Sequence, residues 1–313
     1  MPLRQSIKKR VVASAPVQGI IQKSKHIHVP GFGESTVFEL WKPFLTQLQK
    51  TNLFERAAAI SFNIFMAIPP ILIFIFTLIP YVPISQRVIE ELFALIRDII
   101  PGEENNAVII NFLSDFLNQP RNELLSFGLL VAVLFSSNAM MGILRSFDKN
   151  YPGFIVRSGW QKRRLALVLS LGVFALFFIC LLLLIAQGVV LKWLGLELTW
   201  LISLINNVRW VIIILLLFFS ISVIYRYGPA LKVRWPFFTP GSVLATSLMI
   251  LATTLVTVWV NNFGSYNKIY GSIGAVFILM SLIYVNALVV LLGFELNVTL
   301  TSLKAKQAHA VHA

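Results

Sequence analysis

Residues 269–297 read IYGSIGAVFILMSLIYVNALVVLLGFELN. Between Lys268 and Glu295 no side chain carries a charge, and then a glutamate arrives inside GFELN. A helix crosses about 30 Å of hydrocarbon at about 1.5 Å per residue, so an uncharged run of this length suits a membrane span. From Gly271 to Glu295 such a helix advances about 36 Å. Glu295 is therefore expected at or just below the edge of the hydrocarbon, not at its middle. Two roles stay open for it. One is a partly buried anchor paired with Arg56, Arg145 or Arg226; the other is a headgroup or cation contact at the inner mouth.

The rest of the chain repeats the pattern. Of 313 residues, 57% are hydrophobic and 12% charged, and the mean hydropathy is +0.80. A globule in water cannot hide that much apolar surface. Uncharged runs also fill 57–86, 124–144, 165–191 and 235–267, and a shorter one at 210–225 can lengthen upstream with Arg209 at the interface. The fold class read from this is an all-α membrane protein with six transmembrane helices. The expected spans are near 57–82, 124–144, 165–190, 204–226, 240–262 and 270–296.

The net charge of +13 follows the spans. Lys and Arg outnumber Asp and Glu nine to three in 1–56, six to one in 143–164 and three to none in 226–240, whereas 80–123 has three against seven. This alternation is the positive-inside pattern, which predicts cytoplasmic N- and C-termini. The basicity reads as topology and contact with anionic lipid headgroups, with no nucleic acid as partner. Envelope proteins are possible partners, and the oligomeric state is left open.

Three elements do not span. Residues 1–34 form a mobile basic tail, 35–302 a single membrane domain and 303–313 a second tail. From Thr36 a capping box begins a helix with a broad apolar face and Lys42 and Lys50 nearby, which suits a cytoplasmic interfacial helix. The first outer loop carries helical apolar spacing over 84–100 and 104–118, predicting two amphipathic helices that cap the bundle or rest on the outer leaflet.

Catalytic chemistry is thin. His26, His28, His309 and His312 all lie in the tails, and the cytoplasmic acids Glu34, Glu39, Glu55 and Asp148 are scattered over different elements. A nuclease needs clustered ligands to hold metal at a phosphodiester. The single Cys180 allows no internal disulfide, and no cofactor or metal is expected. The sequon at Asn297 falls on the predicted cytoplasmic side and is given no role.

Polar groups inside the spans are the substrate-path candidates. Pro69 and Pro70 remove two N–H donors from span one and predict a kink or break; Asn63 lies six residues before them. Ser136, Ser137 and Asn138 form a short polar belt in span two, and Asn286 lies in span six. Arg145 and Asp148, one turn apart, could pair locally. Asn261 and Asn262 belong to a predicted tight outer loop, followed by Tyr270, Gly271 and Gly274, whose glycines permit close helix approach. Packing or interhelical hydrogen bonding is the plainer reading of each feature.

The segments RAAAISFNIFMAIPPIL (56–72), RYGPALKVRWPFFTPGSVLAT (226–246) and NNFGSYNKIYGSIGAVFILMSLIYVNALVVLLGFELN (261–297) resemble the YihY/BrkB family of bacterial inner-membrane proteins. The resemblance rests above all on a YGS-[IL]-GA opening and a G-x-E-[LI]-N close of the last helix. The chain departs in ISFN and in doubling a more typical single proline at Pro69-Pro70. The resemblance implies six spans, cytoplasmic termini and an inner-membrane location. Some family members carry an old ribonuclease BN label, which the residues contradict, and others a serum-resistance label. Lipid or amphiphile movement is the expected function, with an envelope scaffold as the alternative.

Overall fold

The computed structural model describes residues 37–78, 122–148, 151, 153–193, 199–262 and 265–311. Among these residues seven helices form and no strand. They are α1 Val37–Lys50, α2 Leu53–Leu78, α3 Asn122–Phe147, α4 Gly159–Trp193, α5 Thr199–Tyr227, α6 Pro240–Asn262 and α7 Ser265–Val311. The 1–34 tail and the amphipathic segments expected at 84–100 and 104–118 lie outside the described residues.

Helix starts follow local chemistry. At α6, Thr239 and Ser242 cap reciprocally: the Thr239 N–H donates to Ser242 Oγ at 3.1 Å and the Ser242 N–H to Thr239 Oγ1 at 3.0 Å. Pro240 takes the first helical position, where a missing N–H costs nothing. Ser158 and Gln161 do the same for α4, at 3.1 and 3.4 Å. Thr51 ends α1, its hydroxyl donating to the Gln47 carbonyl at 3.1 Å, and α2 begins two residues later.

Among the described residues five helical segments are long and apolar enough to cross a membrane: Leu53–Ile75, Leu125–Phe147, Trp210–Tyr227, Pro240–Trp259 and Val276–Ala305. The remaining expected span, 165–190, lies within the 35-residue α4, whose side chains are described as far as Ile179. Each helix from α2 to α6 packs on the next, α6 packs on α7, and α7 closes back on α2. The arrangement is a ring. Large apolar side chains such as Phe62, Leu134, Leu215, Leu251 and Phe277 face outward, as expected where lipid is the solvent.

Two expectations change. Of the kink or break predicted at Pro69-Pro70, the break is absent: α2 runs continuously through both prolines. Their missing N–H groups leave the Phe65 and Met66 carbonyls without helical donors. The helix holds because α3 presses on it beyond that point, with Gly128 against the Phe74 backbone. The second change is length. α7 has 47 residues, about 70 Å at helical rise, and continues past the expected end at 296 to Val311. Its extra turns keep an apolar face, and Leu296, Leu300 and Leu303 pack with Leu40 of α1.

The best-packed core sits at the end of the bundle that carries the basic 143–164 and 226–240 loops. Leu53, Ile60, Phe147, Tyr225, Trp235, Leu291 and Phe294 meet there. Phe147 and Phe294 stack at 4.0 Å with 7° between planes, and Tyr151, Phe154 and Trp235 surround Phe294.

Candidate functional site

The GFELN segment that closes the last apolar run organises this basic end. Gly293 and Gly241 bring α7 and α6 into backbone contact; a Cβ on either would collide with the carbonyl of the other. Phe294 supplies the stacked ring. Glu295 is fully buried, and its carboxylate accepts three hydrogen bonds. Arg56 Nη1 donates to Oε1 at 2.5 Å, the Tyr151 hydroxyl to Oε1 at 2.7 Å, and Gln47 Nε2 to Oε2 at 3.1 Å. Arg56 Nη2 also donates to the Ser146 carbonyl at 2.6 Å. The Arg56–Glu295 pair thus ties α1, α2, the end of α3 and the loop after it to α7.

A buried carboxylate costs several kcal/mol unless its lone pairs are matched by well-placed donors. Here both oxygens accept donors from the protein, which offsets that cost. Burial and the neighbouring carboxylate push the Tyr151 phenol well above the usual tyrosine value. It therefore stays a donor at neutral pH.

Asn297 matters as much. The N-terminal N–H groups of a helix have no internal partner, and Gly241, near the start of α6, donates its N–H to Asn297 Oδ1 at 2.9 Å. Asn297 Nδ2 then donates to Thr239 Oγ1 at 3.0 Å. Trp235 Nε1 donates to Thr301 Oγ1 at 2.9 Å, and the Tyr225 hydroxyl to the Val290 carbonyl at 2.6 Å. Residues 290, 293, 297 and 301 recur at helical spacing, so one face of α7 receives α5, α6 and the loop between them. The motif signals this face only through the 293/297 spacing, and the sequon reading concealed it.

The other expected partners of Glu295 are elsewhere. Arg145 is exposed. Arg226 donates to the Trp235 carbonyl at 3.0 Å and lies over the Phe237 ring at 4.4 Å. Nor does Asp148 pair with Arg145; it pairs with Lys162 at 2.8 Å, because α4 starts beside it. Sequence reasoning also passed over Arg157, which donates to the Tyr227, Gly228 and Pro229 carbonyls and closes the end of α5.

The path candidates separate into two groups. Asn138 is exposed and accepts from Arg163 Nη1 at 2.5 Å, and Ser136 is half-buried. Asn63 donates to its own helix at Ala59 and packs on Gly142. Pro69 is exposed and Pro70 half-buried. In contrast, Ser137 Oγ and the Asn286 Oδ1 are buried and have no hydrogen-bond partner among the described residues, as does Ser222 Oγ of α5. Asn261 and Asn262 end α6, and Tyr270 and Gly271 lie in the first turns of α7; their side chains are outside the described residues. Gly274 is buried in α7. Among the described residues no three of His, Cys, Asp and Glu gather in a metal-binding group.

A cavity of about 520 Å³ opens beside the Glu295 cluster, between α1, the start of α2 and α7. Neither Asn63, Asn138 nor Asn286 lines it.

A closed ring of apolar helices, pinned at one end by a buried ion pair, defines a multi-pass membrane protein. The chain belongs to the virulence factor BrkB family, whose model matches residues 44–313. It is 28% identical over 250 residues to the putative ribonuclease-like protein YfkH of Bacillus subtilis (strain 168), covering 79% of this chain and 89% of that protein. It is 25% identical over 273 residues to the UPF0761 membrane protein Smlt0865 of Stenotrophomonas maltophilia (strain K279a), covering 85% of this chain and 60% of that protein. No solved structure matches the chain.

Proposed function

We propose that the protein is a six-span component of the bacterial inner membrane, with both termini cytoplasmic, that moves or holds a lipid or another amphipathic molecule. The basic end would lie against anionic headgroups of the cytoplasmic leaflet. The observation that carries this reading is the set of unpartnered groups Ser137 Oγ, Ser222 Oγ and Asn286 Oδ1, buried in apolar helices long enough to span. A polar atom left unpaired away from water costs about 1–3 kcal/mol, and a helix bundle that only had to pack would place an apolar group there. A polar moiety of a transient cargo, or water travelling with it, supplies the missing partner.

The test is flux. Purified protein is reconstituted into phosphatidylglycerol/phosphatidylethanolamine vesicles, and transfer of a fluorescent phospholipid between leaflets is followed. Asn286→Leu removes the orphaned amide at similar volume. Thermal stability is expected to hold or rise, because an unsatisfied group is gone, while flux falls to the protein-free level. Flux that is absent in the wild type, or unchanged in the variant, removes the reading.

A second reading, an envelope scaffold, is favoured by the lobe joined by the Phe154–Leu231 bridge. Val156, Trp160 and Val233 stand exposed there beside Lys232 and Arg234. Substituting all three apolar residues with serine would abolish partner capture and spare flux. The ribonuclease-like name of the Bacillus relative suggests a third activity, for which the described acids lack a clustered arrangement.

A further inference from the structure

The cavity beside α1 has the features of a binding site for one hydrocarbon chain. Its walls are Leu45 and Leu48 of α1, Leu53 and Phe54 of α2, and Leu288 and Leu292 of α7. Leu288 and Leu292 are four residues apart on the membrane-spanning part of α7, so they line one strip of wall. Gln49, Asn52 and Glu55 bring polar groups to the same space, from the last turn of α1, the α1–α2 turn and the first turn of α2. Apolar walls with a polar border at one end match an amphiphile and do not match a small polar solute.

The surroundings say what fills it. Phe54 is 70% exposed and begins a row on α2 that continues through Ala58, Phe62 and Met66, all exposed and four residues apart. In a membrane protein such a row faces hydrocarbon. The cavity therefore opens sideways into the lipid phase. α1 shows the same dual character. It buries Leu40 on α7, while Trp41 and Leu45 remain exposed, as in a helix lying in the interface. Directly behind the cavity, Gln47 reaches Glu295, so the roof helix is tied to the ion-pair cluster that closes the ring.

We infer that this cavity holds one acyl chain of a membrane phospholipid, which enters from the lipid-facing row of α2 and lies between α1 and α7. The inference rests on the lipid-handling reading for its purpose, but the site can be tested without any flux.

The full chain is placed in nanodiscs of phosphatidylglycerol and phosphatidylethanolamine that include a trace of phospholipid with a photoreactive diazirine late in one acyl chain. After irradiation the labelled peptides are mapped. Labelling is expected to concentrate on residues 45–55 and 288–292, several-fold above Leu251 and Leu255, exposed residues of α6 that report ordinary surrounding lipid. Leu292→Trp, which fills the cavity, is expected to lower the cavity signal several-fold and leave the α6 signal unchanged. Leu45→Trp serves the same end at a half-open position if the first variant folds poorly. Equal labelling of cavity and α6, or cavity labelling indifferent to both tryptophans, overturns the site. Concentrated labelling in a protein without flux keeps the site and removes transport. Flux without concentrated labelling removes the site and keeps transport.

Discussion

The Arg56 guanidinium and the Glu295 carboxylate, 239 positions apart in the chain, meet at 2.5 Å with almost none of either side chain exposed. They join the first spanning helix to the last. Glu295→Gln keeps the volume and leaves Arg56 as an unmatched buried charge, at a cost of about 3–5 kcal/mol. The expected result is a lower Tm in detergent and less folded protein on size exclusion. Arg56→Met combined with Glu295→Leu should recover a large part of that loss, since the lone charge is gone. A single variant with normal Tm and no function would reassign the carboxylate to cargo contact.

Gly293→Ala places a methyl 2.5 Å from the Tyr225 hydroxyl oxygen and 2.8 Å from Ala245 Cβ, with the Gly241 carbonyl closer still. α6 and α7 must separate, which costs about 1–3 kcal/mol or more for an overpacked core. Gly172→Ala on α4 meets nothing within 4 Å and should be neutral or slightly stabilising. Paired thermal melts of the two variants check the contrast.

Tyr151→Phe deletes the hydroxyl that donates to Glu295, a bond to a charged group worth about 1.5–3 kcal/mol. Because the phenol titrates above its usual value in the fold, its contribution is complete below the unfolded value near 10. It is lost as pH climbs through the higher folded value. The Tm gap between wild type and Tyr151→Phe should stay constant at neutral pH and narrow above about pH 10. A gap that already narrows at neutral pH contradicts this account.

Arg157 sits on three carbonyls at the end of α5, with Nη1 to Gly228 at 2.6 Å and Nη2 to Pro229 at 2.9 Å. Lysine keeps the charge but not the planar fork. Arg157→Lys and Arg157→Ala are therefore expected to destabilise by similar amounts, of order 1–3 kcal/mol. Rescue by lysine would show that charge alone matters.

The apolar helices were readable because lipid imposes one rule, an uncharged run of helical length, and among the described residues five helices carry such a stretch. Counting turns from Gly271 predicts a depth for Glu295 but not its neighbours. The choice of Arg56 over Arg145 and Arg226 was not readable, because only the azimuth of each helix decides which of them meets the carboxylate. The roles of Gly241, Asn297, Gln47 and Tyr151 depend on residues more than 50 positions away meeting in space. Helical periodicity within one segment carries no record of that. The continuity of α2 through Pro69-Pro70 was hidden for a related reason: a proline pair weakens a helix locally, and a neighbouring helix packs on it at Gly128.

The ring has a temporal side. Arg56 emerges from the ribosome long before Glu295 is made, so through most of synthesis its guanidinium is without its acid. Only the last helix supplies that acid, together with the asparagine that caps α6 and the glycine that lets α6 and α7 touch. A chain cut short before residue 295 lacks its closing piece whatever the hydrophobicity of the helices already inserted. Completion of translation thus becomes a condition for assembly, because an unfinished copy leaves the ring open and Arg56 without its acid.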